Sequence, residues 1–141
     1  MKGIHQLRTQ RAARDESAFT LFELMMVITL ILILATISIP MYQVSIVRAH
    51  EAVLRDDLYT MRKLIDQYTL DKQKPPQSLD DLVSAGYLRA LPKDPFTGSN
   101  QTWKADIEEV STGSEQPVTG VVDVHSGSDA VSLDGTPYSS W

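Results

Sequence analysis

The chain has no cysteine, which excludes a disulfide framework, a thiolate metal site and a cysteine nucleophile together. It also lacks an excess of basic residues. Thirteen Lys and Arg stand against 18 Asp and Glu, a formal charge of −5, and this argues against nucleic acid as a direct partner. Histidine is scarce, and His5, His50 and His125 share no metal-ligand spacing. There is no Gly-x-Ser-x-Gly elbow and no Gly-rich loop leading into a helix. Adjacent carboxylates occur at Asp56 and Asp57, Asp80 and Asp81, and Glu108 and Glu109, where helix caps and solvated faces account for them. No catalytic constellation emerges, and an enzyme is not expected.

The most informative scarcity is local. Between Phe19 and Val47 the only charged residue is Glu23, a few positions inside an apolar run. About twenty such residues cross about 30 Å of hydrocarbon as a helix. A cleaved secretory signal fits poorly, because Leu24 to Met41 alone is uncharged and no A-x-A-like site follows. A buried helix of a soluble domain fits poorly too, since the run is apolar on every face. A plain membrane anchor fits the length but leaves Glu23 unexplained. An acidic residue at the centre of a span costs roughly 2.5–3.5 kcal/mol, and somewhat less near an end.

The preceding stretch, "MKGIHQLRTQRAARDESA", carries Lys2, Arg8, Arg11 and Arg14 and little that is apolar. The positive-inside rule keeps this tail cytoplasmic and sends the residues after Pro40 outward. A short basic leader, a small residue and then "FTLFELMMVI" is the layout of a class III signal peptide. In this the chain resembles the type IV pilin and pseudopilin family. The residues that carry the likeness are Ala18, Phe19, Thr20, Leu21, Phe22 and Glu23, with Ala18 where the family has Gly. The resemblance implies that a prepilin peptidase cuts between Ala18 and Phe19 and methylates the new amine of Phe19. Glu23, the fifth mature residue, would then meet the amine of a neighbouring subunit, a pair that is costly for each charge alone and favourable together. The plain alternative is that Glu23 snorkels to the headgroups.

Pro40 removes a backbone donor and crowds the carbonyl of Thr36, so a kink is expected there, as the resemblance also implies; otherwise Pro40 ends the span. No Gly or Pro interrupts residues 41–74. There Val47, Leu54, Leu58, Met61, Ile65 and Tyr68 form one helical stripe, and Glu51 and Arg55 make an i,i+4 pair. The helix is expected to end before "KPPQ". Ser78 with Asp81 reads as a variant capping box, and Gly86 as a helix stop, giving a short helix over about 79–85. Alternation at Trp103, Ala105 and Ile107, and again at Val122 and Val124, predicts an antiparallel pair over about 102–110 and 118–126. The pair is joined across "STGSEQPVTG", with Pro117 at an edge or in the loop.

Within the family the closest likeness is to the G-type major pseudopilins of type II secretion. It rests on Pro75 and Pro76, Leu79, Leu82, the run Gly86, Tyr87 and Leu88, then Leu91 and Pro92, then Asp94, Pro95 and Phe96. A Gly- and Asp-containing end, "SGSDAVSLDGTPYSSW", completes it. Phe96 stands for the family's usual Trp, and the last segment has fewer aspartates. The resemblance implies a calcium site in that segment, with Asp129 and Asp134 as its candidate carboxylates and Ser126, Ser128 or carbonyls completing six to eight oxygen donors. The alternative is a metal-free turn held by hydrogen bonds and by Tyr138 and Trp141.

These readings give an α+β chain in three parts. Residues 1–18 are a cleaved leader, 19–47 a transmembrane and polymerisation half-helix, and 48–141 a periplasmic domain in which the amphipathic half-helix packs on a small antiparallel sheet. The expected function is that of a structural subunit of a type II secretion pseudopilus. It would be anchored once in the bacterial inner membrane with its N-terminus cytoplasmic and its C-terminal domain periplasmic. The resemblance implies a homo-oligomeric helical filament in the lipid bilayer. It also implies minor pseudopilins, the prepilin peptidase and N-methyltransferase, and an inner-membrane assembly platform with its ATPase as partners. No cofactor is required by this reading, with calcium as the one candidate. A type IV pilus subunit and a single-pass anchored binding domain remain the alternatives.

Overall fold

The computed structural model describes residues 4–111 and 116–141, with side chains from Thr20 onward. Helix α1 runs Ile4–Lys72. No glycine lies in that span, and its one proline, Pro40, sits within the helix and does not end it. By internal contacts the chain divides into Met1–Ser45 and Ile46–Trp141, and each is described by itself.

In the first unit the large apolar side chains from Leu21 to Val44 all point into open space. The hydroxyls there fold back onto their own helix. Thr29 donates to the carbonyl of Met25, Thr36 to Ile33, Ser38 to Leu34 and Ser45 to Met41, at 2.7–2.9 Å. These four hydroxyls are thereby satisfied without water, as a span in hydrocarbon requires.

The second unit is an α+β domain built on the amphipathic part of α1. Leu54, Leu58, Met61 and Ile65 are buried as one stripe, with Val47 and Tyr68 half-buried at its ends. The helix stops as expected. Gln73 takes a left-handed φ of 57° and its side-chain amide donates to the carbonyl of Leu70 at 2.7 Å, before Pro75 and Pro76. Helix α2, Asp80–Ser84, ends in a Schellman turn: Tyr87 N–H donates to Leu82 O and Gly86 N–H to Val83 O, with Gly86 at φ +85°. The start of α2 keeps one half of the expected capping box, the bond from the Ser78 N–H to the Asp81 carboxylate. No side chain of the N-cap residue, Leu79, bonds the helix, and instead Asp81 reaches back to the N–H groups of Gln77 and Ser78.

Strands β1, Lys104–Val110, and β2, Val118–His125, pair antiparallel in a two-stranded sheet. Residues 112–115 of the expected connection lie outside the described residues. Asp106 faces Asp123 and Ile107 faces Val121, so Val122 is an extra residue that bulges from β2. Val121 and Val124 are consequently the buried apolar side chains of β2, in place of the expected alternation through Val122 and Val124. Ile107, expected to point into the core with Trp103, is 60% exposed. It lines an open cleft with Leu79, Leu91 and Trp103, and no other described element covers it there. Leu82 of α2, Trp103, Tyr138 and the two valines close the core on the helical stripe.

Candidate functional site

Two regions carry the sequence-derived site residues. At the N-terminal end, the backbone of Ala18 and Phe19 lies within α1, and their side chains lie outside the described residues. The expected contact between Glu23 and the amine of Phe19 therefore also lies outside them. Glu23 itself is exposed, on a helix face it shares with the exposed Met26 and Val27 three and four residues on. Its carboxylate makes no hydrogen bond or ion pair seen among the described residues. Among the described residues it is the one acid in the apolar run up to Val47.

The C-terminal segment is organised by two buried carboxylates, Glu51 and Asp94, to which the sequence assigned no site role. Glu51 belongs on the buried stripe by spacing, because it fills the seven-residue gap between Val47 and Leu54. The expected pair with Arg55 does not form. Glu51 Oε1 instead accepts the N–H of Leu133 at 2.8 Å and the hydroxyl of Tyr138 at 2.9 Å. Burial, together with the hydrogen bond to Glu51, pushes the Tyr138 hydroxyl up to about 12. Arg55 reaches Asp134 at 3.4 Å and lies 4.3 Å above the ring of Trp141.

Asp94 is fully buried, 0% exposed. One of its oxygens accepts the N–H groups of Phe96 and Thr97, and the other accepts the Ser126 hydroxyl at 2.6 Å and the Gly127 N–H at 3.2 Å. It thus ties the turn after Pro92 to the end of β2. Gly127 has to be glycine here, since a Cβ would lie 2.0 Å from the carbonyl oxygen of Thr102. Phe96, in the place of the family's tryptophan, stacks on Tyr138 with ring centroids 3.8 Å apart. Trp141 meets Tyr138 edge-on and donates its indole N–H to Thr136.

A third cluster centres on Arg62, which donates to Asp123 at 2.6 Å and to the main-chain oxygens of Val124 and Trp141. Burial raises the Asp123 carboxyl, but the Val124 N–H and the Arg62 guanidinium outweigh it and hold the group below its ordinary value. His125 bonds the Trp141 main-chain oxygen through Nδ1 and lies 3.2 Å from Asp106 through Nε2. His50 packs edge-on to Phe96. His5 falls in the part of α1 whose side chains are not described.

The two carboxylates that the family resemblance assigns to calcium do not converge on a shared ion. Asp129 is 3.4 Å from the Lys104 ammonium, and Asp134 is 3.4 Å from Arg55; their side chains are 81% and 75% exposed. The Ser139 hydroxyl, followed by Lys104, holds the Asp129 carboxyl below its ordinary value. Among the described residues no three acidic or histidine side chains come close enough to share a metal ion. Two exposed carboxylates, each beside its own cation, do not fit a hard dication needing six to eight oxygens.

Residues 13–39 match the prokaryotic N-terminal methylation motif. Over most of its length the chain is similar to type II secretion system core protein G. With the protein of that name from Klebsiella pneumoniae it shares 30% identity, over 89% of this chain and 94% of the relative. With those from Dickeya chrysanthemi and Vibrio cholerae it shares 30% and 29%, over 80% and 79% of this chain and 77% and 79% of the relatives. No solved structure is a significant match. These relatives do not favour a type IV pilus subunit or a non-polymerising anchored domain. With the methylation motif at its apolar helix and this likeness along the rest of its length, the chain belongs to the family of type II secretion system core protein G, the major pseudopilins.

Proposed function

We propose that the chain works mechanically, as the repeating subunit of a periplasmic pseudopilus in type II secretion, and performs no chemistry of its own. Family membership and the apolar N-terminal helix make it a single-pass, inner-membrane-anchored protein that is processed by a prepilin peptidase and assembles into a pseudopilus. In the finer reading the leader faces the cytoplasm, and cleavage falls between Ala18 and Phe19. The methylated amine of Phe19 is then held by Glu23 of an adjacent subunit. Minor pseudopilins join the same filament, and an assembly platform with an ATPase supplies the work.

The observation that carries this reading is the helix surface around Glu23. Leu21, Phe22 and the apolar side chains through Val44 have no cover among the described residues, and one carboxylate lies among them. Such a surface is at rest in lipid or against copies of itself, and the carboxylate is at rest only beside a cation. Pro40, inside the helix, leaves the Thr36 carbonyl without its usual donor and lets the half-helix bend during packing.

Intact-mass analysis and N-terminal sequencing of the protein recovered from membranes test the processing step. The expected product begins at Phe19 and carries one added methyl group on its amine. Ala18→Gly is expected to cleave at least as fast. A chain that keeps its leader in cells with an active prepilin peptidase would refute maturation at this bond.

A further inference from the structure

The segment after β2 is bonded mainly to itself. Ser132 N–H donates to Thr136, Gly135 N–H to Ser132 and Tyr138 N–H to Ala130, at 2.8–3.0 Å, with one isolated bridge between Val131 and Pro137. Ser140 and Trp141 N–H close the last turn and Ser132 Oγ accepts the Thr136 N–H, but none of these bonds reaches α1, so holding the loop to the helix needs a further fixed point. In calcium-dependent loops the ion supplies that point by drawing carboxylates and carbonyls onto one charge.

Here a fixed charge is already present, and it is negative. Glu51, 6% exposed on the core face of α1, receives both the Leu133 N–H and the Tyr138 hydroxyl on a single oxygen. Both bonds are charge-assisted and the Tyr138 bond is buried, so they belong to the stronger class of hydrogen bond. Tyr138 is in turn clamped between Phe96 and Trp141. The cationic groups near the loop, Lys104 and Arg55, stand against Asp129 and Asp134, where a dication would have to displace or face them. Those two exposed ion pairs contribute little stability themselves. Their effect is to neutralise the carboxylates a calcium ion would need.

We infer that Glu51 locks the C-terminal loop to α1, and that the order of this loop is independent of calcium. The Glu51 carboxylate takes the place of the ion as the common point to which residues 133 and 138 are drawn. Lys104 and Arg55 remove the negative charge that would otherwise recruit a metal.

The test uses the leader-cleaved chain as a detergent-solubilised monomer, so that its outcome does not depend on filament assembly. Backbone hydrogen exchange of residues 129–138 and the unfolding temperature are measured in millimolar calcium and in excess chelator. The wild-type protein is expected to give the same exchange and the same midpoint in both. Glu51→Ala is expected to speed exchange in this segment roughly tenfold or more, again equally in both buffers. If that variant fails to fold, Tyr138→Phe removes one of the two donors while keeping the ring, and is expected to accelerate the same segment to a smaller degree. The double variant Arg55→Gln, Lys104→Gln is expected to leave exchange within about twofold of wild type in chelator, because exposed pairs hold little. Calcium-dependent protection of the wild-type loop would overturn the inference. So would a double variant that loosens the loop as much as Glu51→Ala, or a Tyr138→Phe loop that exchanges as slowly as wild type.

Discussion

A buried carboxylate is tolerable only when its oxygens are occupied by donors, and Asp94 meets that condition with four. Asp94→Ala is expected to destabilise the domain by about 3–5 kcal/mol, since it leaves buried N–H groups and the Ser126 hydroxyl without their acceptor. Ser126→Ala is expected to cost less, about 1–3 kcal/mol, because only one donor is lost. Denaturant unfolding of the full chain in detergent measures both. Asp123 gives a pH-dependent counterpart. Its carboxyl is held below the ordinary value in the fold, so its contribution is complete above that value and is lost as the pH falls through the lower folded one. An acid titration of the unfolding midpoint should therefore be shallower for Asp123→Asn than for wild type. Neither role was legible in the sequence. Glu51 shows why: its periodicity already placed it on the buried stripe, yet its charge suggested a surface pair with Arg55, and its true partners lie about eighty residues away. Only the fold brings them together.

At the level of the elements, the apolar period of α1 was fully legible, because a helix face repeats and four of its residues are buried as predicted. Leu58→Ala should remove about 2–5 kcal/mol of stability, whereas Leu70→Ala, on an exposed position of the same helix, should stay within about 0.5 kcal/mol. Circular dichroism melts of the two variants, side by side, check this contrast. The sheet was legible only to its first irregularity. Period-two alternation places Val124 on the buried face, as it is, but the residue inserted at Val122 gives the second buried place to Val121. Nothing in the residue types of "VVDVH" announces that insertion. Ile107 illustrates a different limit: it does pair with buried Val121, but among the described residues no third strand or helix covers that edge. The terminal glycine of α2 was legible because its left-handed φ is a local requirement.

For the whole molecule the decisive quantity is the free energy of one carboxylate in two surroundings. Glu23 lies exposed among apolar side chains in the single chain, and in a bilayer that position opposes insertion. Glu23→Val should therefore insert at least as well as wild type, with a gain of up to about 3 kcal/mol on the insertion scale. Assembly should move the other way. If the amine of Phe19 on the next subunit is the partner, removing Glu23 leaves that amine unpaired in low dielectric, a loss of roughly 3–5 kcal/mol per contact. Glu23→Asp keeps the charge and shortens the reach, so an intermediate filament yield is expected. Leader cleavage should persist in all three proteins, because the bond cut lies ahead of the altered side chain. Membrane fractionation separates the insertion effect from the assembly effect, and sheared-filament yield on overproduction measures the second. A Glu23→Val protein that fractionates with the membrane and still builds filaments at wild-type yield would leave the carboxylate without the role in subunit pairing argued for it.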